Sequence, residues 1–159
     1  MPEAISIEVQ GMAELEQALL EMGNALAGKE LFGGLMDAAL PIQKAAQALA
    51  PVADKPHYQY TRKKGQRIQI QPGNLRKSIR RKRLKSRDGQ TGAQVGISWT
   101  GRAFYGRFRE FGTSKEPAKP FLRPAFEAKK DDALRIFRGR LETRIEKQRQ
   151  IAAARTGHL

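Results

Sequence analysis

The segment from Phe104 to Phe126, FYGRFREFGTSKEPAKPFLRPAF, constrains the fold more than any other part of the chain. It holds five of the seven phenylalanines, Phe104, Phe108, Phe111, Phe121 and Phe126, with Gly112 and three prolines, Pro117, Pro120 and Pro124. Aromatic side chains bury large apolar areas. Proline and glycine fix where the backbone turns. A segment rich in both reads as a rigid, packed connector. Phe104, Phe108 and Phe111 recur at helical spacing, and Gly112 ends that turn of helix. The expectation is that Phe108, Phe111, Phe121 and Phe126 are core, packed against a long C-terminal helix and a strand carrying Val95, Ile97 and Trp99; the other reading of Phe104, Phe108 and Phe111 is a binding surface.

That C-terminal helix should begin near Pro124, because proline is tolerated in a first helical turn. Leu134, Phe137, Leu141 and Ile145 give it an apolar stripe to about Gln150. Residues 151–159 read as a frayed tail. At the other end, Ile5, Ile7 and Val9 alternate with Ser6 and Glu8, as in a short half-buried strand. Met12, Leu15, Leu19, Met22 and Leu26 then mark a helix that Gly28 should end. A second helix spans about Glu30 to Ala50, with Pro41 expected to kink or split it and Pro51 to stop it.

Residues 52–72 are polar and basic, punctuated by Pro56, Gly65 and Pro72, and only Ile68 and Ile70 alternate. They read as an extended loop arm, with a weak hairpin as the alternative, mobile unless a partner holds it. A hairpin follows, from Leu75 to Ser86, through Asp88-Gly89, and back along Ala93, Val95, Ile97 and Trp99. Its outgoing strand carries Arg80, Arg81, Lys82 and Arg83 in succession, and alternation sends these cations to both faces. One pair must find solvent or an acidic partner. The whole reads as a single α+β domain over 1–159, with a small antiparallel sheet against an N-terminal helix pair and the long C-terminal helix.

The chemistry of an enzyme is missing from this sequence. There is no cysteine, and the only histidines are His57 in the loop arm and His158 in the tail. No catalytic, cofactor or metal constellation can be assembled from them. No apolar run reaches the roughly 20 residues that span a bilayer, and the start of the chain lacks a signal-peptide pattern, so synthesis in the cytoplasm is expected. The charge is the strong compositional fact: 30 Lys and Arg against 16 Asp and Glu give a net +14. Such a field draws anionic partners and repels copies of itself. The candidate contacts are Arg62, Lys63, Lys64, Arg80, Arg81, Lys82 and Arg83. Tyr58 and Tyr60 lie beside the first run, as in aromatic stacking on nucleic acid.

Three blocks bear a family resemblance. The first is AAQALAP, Ala45 to Pro51. The second is Gly73-Asn74-Leu75-Arg76-Lys77-Ser78-Ile79. The third is Phe108 to Thr113, with Glu110, Phe111 and Gly112, followed by Pro120, Phe121, Leu122, Arg123, Pro124 and Ala125. Together they resemble the small tail-completion or neck proteins of long-tailed bacteriophages, the gene-product-ten type of head–tail joining protein. The third block is the specific one. In the family the first two blocks lie a few residues apart, whereas here residues 52–72 intervene and look like an insertion.

The resemblance implies an α+β subunit in a homo-oligomeric ring, a hexamer, at the virion's head–tail junction. It implies a structural role with no catalysis and no cofactor. The partners would be connector or head-closure proteins on one side and tail-terminator or tail-tube proteins on the other. Packaged DNA in the lumen is a further candidate partner. Two rivals stand beside it: a basic nucleic-acid-binding protein and a tail-terminator ring protein. The third block argues against the first rival, which has no need of it.

Overall fold

The computed structural model describes residues 24–60, 65–84 and 93–156. In chain order they form α1 (Asn24–Leu49), β1 (His57–Tyr60), β2 (Arg67–Ile70), α2 (Asn74–Ser78), β3 (Ile79–Leu84), β4 (Gln94–Trp99), a 3₁₀ turn at Gly101–Ala103, α3 (Gly106–Phe111) and α4 (Leu122–Thr156). The fold is α+β. The strand expected over residues 4–9, the helix expected from Met12 and the Asp88-Gly89 turn lie outside the described residues.

The framework is a pair of long antiparallel helices, α1 and α4. At 35 residues, α4 is about 52 Å long. Its buried stripe is Ala133, Phe137, Leu141 and Ile145, which packs on Ala38 and Ile42 of α1. Ala133, not Leu134, is the inward residue at the first position of that stripe. Gly34 lets the helices approach closely, since a Cβ there would stand 3.0 Å from the Phe137 ring. Ion pairs Arg140–Asp37 at 3.0 Å and Arg144–Glu30 at 3.3 Å flank the seam.

Several sequence expectations need correction. α1 runs through both Gly28 and Pro41 without a break. Packing along α4 outweighs the local cost of either residue. α4 begins at Leu122 and is helical to Thr156, so residues 151–156 continue the helix. Residues 74–78 are a helical turn, and the outgoing strand starts at Ile79. The expected single sheet is two separate antiparallel hairpins, β1–β2 and β3–β4.

The loop arm is one of those hairpins. His57 pairs with Ile70, Tyr58 with Gln69, Gln59 with Ile68 and Tyr60 with Arg67. Tyr58, Tyr60, Arg67 and Gln69 thus share an exposed face, with the Arg67 guanidinium 5.7 and 5.9 Å from the two tyrosine ring centres. Ile70 is buried and pins the base of the arm. The described strands of the arm are thus paired with each other within the subunit.

In the β3–β4 hairpin, Ile79 pairs with Trp99, Arg81 with Ile97 and Arg83 with Val95. These six side chains share the face that packs on α1. Ile79 enters a second core cluster with Ala46, Ala50, Leu75, Ala103, Phe121 and Ala125.

Candidate assembly surface

The second and third sequence blocks meet at one end of the helix pair, and each supplies a charge to a helix terminus. The C-terminus of α1 presents carbonyls with partial negative charge. Arg76 of α2 reaches them, donating from Nη2 to the Ala48 and Ala50 carbonyls at 3.2 and 3.4 Å. Leu75 is buried, and the Ser78 hydroxyl donates to the Leu75 carbonyl at 2.7 Å. Gln43 and Gln47, one turn apart on α1, both donate to the Ile79 carbonyl at 3.0 and 3.1 Å.

The N-terminus of α4 carries the opposite partial charge, and Glu110 of α3 meets it. Its carboxylate is buried and accepts three backbone N–H groups, from Phe121 at 2.7 Å, Leu122 at 2.9 Å and Arg123 at 3.1 Å. Pro124 has no N–H to satisfy, and the Ala125 N–H bonds to the Phe121 carbonyl at 3.4 Å. Every donor in the first turn of α4 is accounted for. Phe121 itself is fully buried, 6.0 Å from the Trp99 ring. The sequence block contains Glu110 but assigns it no role. A carboxylate two residues before a glycine, followed by a Phe-Leu-Arg-Pro helix start, is the signal that carries the role.

Between the two lies a loop held by its own hydrogen bonds. Gly112 has φ 74° and extended ψ, a backbone other residues rarely adopt. A Cβ there would also stand 2.8 Å from the Ala118 nitrogen. The Thr113 hydroxyl accepts from the Lys115 and Glu116 N–H groups at 3.2 and 3.0 Å. The Lys119 N–H bonds back to the Arg109 carbonyl at 2.7 Å, and Arg109 pairs with Glu116 at 2.9 Å. Residues 113–120 are all exposed. The loop is a rigid projection.

The aromatic expectation is overturned for α3. Phe104 is 51% exposed, Phe108 47% and Phe111 65%. Only Phe121 and Phe126 of the five pack against the core, Phe126 partly. The reason is the direction set by Glu110: turning its carboxylate inward to α4 commits one side of a six-residue helix to the interior. Gly106 and Glu110, four residues apart, occupy that side, and a Cβ at Gly106 would collide with Leu75 and Trp99. The phenylalanines are left on the outer side as a stripe, with the Phe104 and Phe108 rings edge to face at 6.1 Å.

The basic run of β3 divides as alternation requires. Arg81 donates to the Met36 carbonyl of α1, and the Arg83 guanidinium lies 3.6 Å from the Phe32 ring centre. These two cations serve the fold. Arg80 and Lys82 face outward with Gln94 and Ser98. Arg62, Lys63 and Lys64 lie outside the described residues. On α4, Lys129 donates to Asp132 at 3.0 Å, and this bond holds the Asp132 carboxyl below the usual carboxylate range.

Among the described residues, no cluster of His, Cys, Asp or Glu could hold a metal ion, and no helix is long and apolar enough to cross a membrane. No protein-family model matches this chain, and no curated protein or solved structure matches it either.

Proposed function

We propose that this chain is a structural subunit of the junction between a bacteriophage head and its tail. In this reading it works as a ring of about six copies, in the virion, without catalysis. Head-side connector proteins and tail-side tube or terminator proteins are its neighbours. The observation that carries the reading is the α3 corner. The blocks that resemble the tail-completion family fix a rigid projecting loop and leave three phenylalanines exposed beside it. Contiguous exposed apolar surface rimmed by charge marks protein–protein contact. A docking part needs such a feature, and a subunit working alone is harmed by it.

The outward cations, Arg80 and Lys82, belong to the same reading as contacts to acidic neighbours or to DNA passing through the lumen. The test is genetic. A phage carrying a nonsense codon in the gene for this chain should yield filled heads and finished tails that stay separate under the electron microscope. Complete particles from that phage would overturn the proposal.

A further inference from the structure

The two faces of the β1–β2 arm differ in chemistry. His57 and Ile70 pair on the inner face, where Ile70 is buried and the His57 ring meets the Tyr105 ring edge to face at 5.7 Å. Gln59 and Ile68 share that face. The outer face carries Tyr58, Tyr60, Arg67 and Gln69. Tyr58 is 65% exposed, and Tyr60, at 73%, is the most exposed large hydrophobic side chain among the described residues. Arg67 stands opposite Tyr60 and diagonal to Tyr58, which keeps its guanidinium beside both rings. Among the described residues no carboxylate pairs with Arg67.

We infer that this outer face binds single-stranded nucleic acid: Tyr58 and Tyr60 stack unpaired bases, Arg67 meets a phosphate and Gln69 bonds a base edge. Residues two apart on a strand stand about 6.7 Å apart on one face. Sheets present aromatic pairs to splayed bases in this way. The composition of the face favours this ligand over a protein. It carries no aliphatic side chain, and each of its four groups can stack on or hydrogen-bond to a base or a phosphate. The Phe104–Phe108–Phe111 stripe of α3 is the contrasting case, since it offers apolar area alone.

Charge selects an anionic polymer. From Pro51 to Arg109 the sequence holds 16 Lys and Arg against two acids, Asp54 and Asp88. The acids of α1 and of the α3 corner are already engaged, Glu30 with Arg144, Asp37 with Arg140, Glu110 with the start of α4 and Glu116 with Arg109. The middle of the chain therefore carries most of the net charge of +14. A strand of phosphates answers such a field with one charge per nucleotide. Duplex DNA fits the charge, but its bases lie inside the stack, where the tyrosines cannot reach their faces. Such binding needs neither a ring nor a phage, so it stands apart from the head–tail reading.

Fluorescence anisotropy of the full chain with a labelled oligothymidylate of about 20 nucleotides tests it. At low salt the single strand should bind at least about tenfold more tightly than a duplex of equal length. Tyr58→Ala with Tyr60→Ala should weaken single-strand binding at least about tenfold and leave duplex binding within about twofold. Tyr58→Phe with Tyr60→Phe should keep single-strand affinity within about threefold, because stacking needs the ring and not the hydroxyl. Arg67→Gln should lower the slope of log Kd against log salt by about 0.7, the loss of one phosphate contact. All these changes fall on exposed positions, so thermal melting should match the parent chain.

A single strand left unbound at about 100 µM chain overturns the inference, as does a duplex bound as tightly as the single strand. Unchanged single-strand affinity in the alanine variant overturns it too. If no strand binds and the alanine variant fails to join heads to tails, the face is a protein contact, and the inference alone falls. If the strand binds as expected and phage assembles without the chain, the head–tail reading alone falls.

Discussion

The carboxylate of Glu110 accepts the N–H of Phe121 at 2.7 Å, and through it α3 starts α4. Four residues share the consequence. Glu110 supplies the charge, Phe121 the buried anchor, and Leu122 and Arg123 the further donors. A charged acceptor at a helix N-terminus gains from both hydrogen bonding and the helix dipole. Glu110→Ala should cost about 2–3 kcal/mol, because it strands buried N–H groups. Glu110→Gln should cost less, about 1 kcal/mol, since one oxygen remains. Urea denaturation measures both. Equal stability of Glu110→Ala and the parent chain would show that solvent caps α4.

Phe121 and Phe111 should separate in a melting experiment. Phe121→Ala empties a fully buried site and should cost about 3–5 kcal/mol. Phe111→Ala should change stability by less than about 0.5 kcal/mol, because the ring is mostly exposed. A large loss from Phe111→Ala would place it in the core.

The four cations of β3 should fall into two pairs. Arg81→Ala and Arg83→Ala should each destabilise by about 1 kcal/mol, through the bond to Met36 and the ring contact with Phe32. Arg80→Gln with Lys82→Gln should leave stability within about 0.5 kcal/mol. Assembly assays on the charge run are clean only with the second pair. Reversed behaviour in thermal melts would mean that the strand register is wrong.

Amide exchange should rank the two hairpins. A two-stranded hairpin is marginal by itself. The β1–β2 arm has mostly exposed side chains and one buried anchor, Ile70, whereas β3–β4 is backed by α1. The amides bonded between β1 and β2 should exchange well before those of Arg80 and Ser98, which face each other in a hydrogen-bonded pair of the β3–β4 ladder. Equal protection would mean that the arm packs more firmly than its exposure implies.

Periodicity made the long helices legible, because burial along α1 and α4 repeats over many turns. It also exposed the charge conflict in β3, which the fold resolves by giving Arg81 and Arg83 to α1. It failed where a residue's neighbours come from distant segments. Nothing local tells that Glu110 turns inward, and so nothing local tells that Phe104, Phe108 and Phe111 turn outward. The aromatic content alone pointed to core. Local propensity places a helix end at Gly28, whereas α1 runs from Asn24 to Leu49 because α4 packs along it. The geometry supplies physical reasons for Leu75, Arg76, Ser78, Glu110, Gly112 and Phe121 as buried groups, helix-end partners or turn positions.

The most direct measurement of the central claim is rejoining in vitro. Heads and tails would be purified from phage lacking this chain, mixed, and titred for infectivity with and without the purified protein. The account predicts that the parent chain restores infectious particles, and that the chain with Phe108→Ser and Phe111→Ser, though folded, does not. Infectivity that is unchanged by adding the parent chain would contradict it.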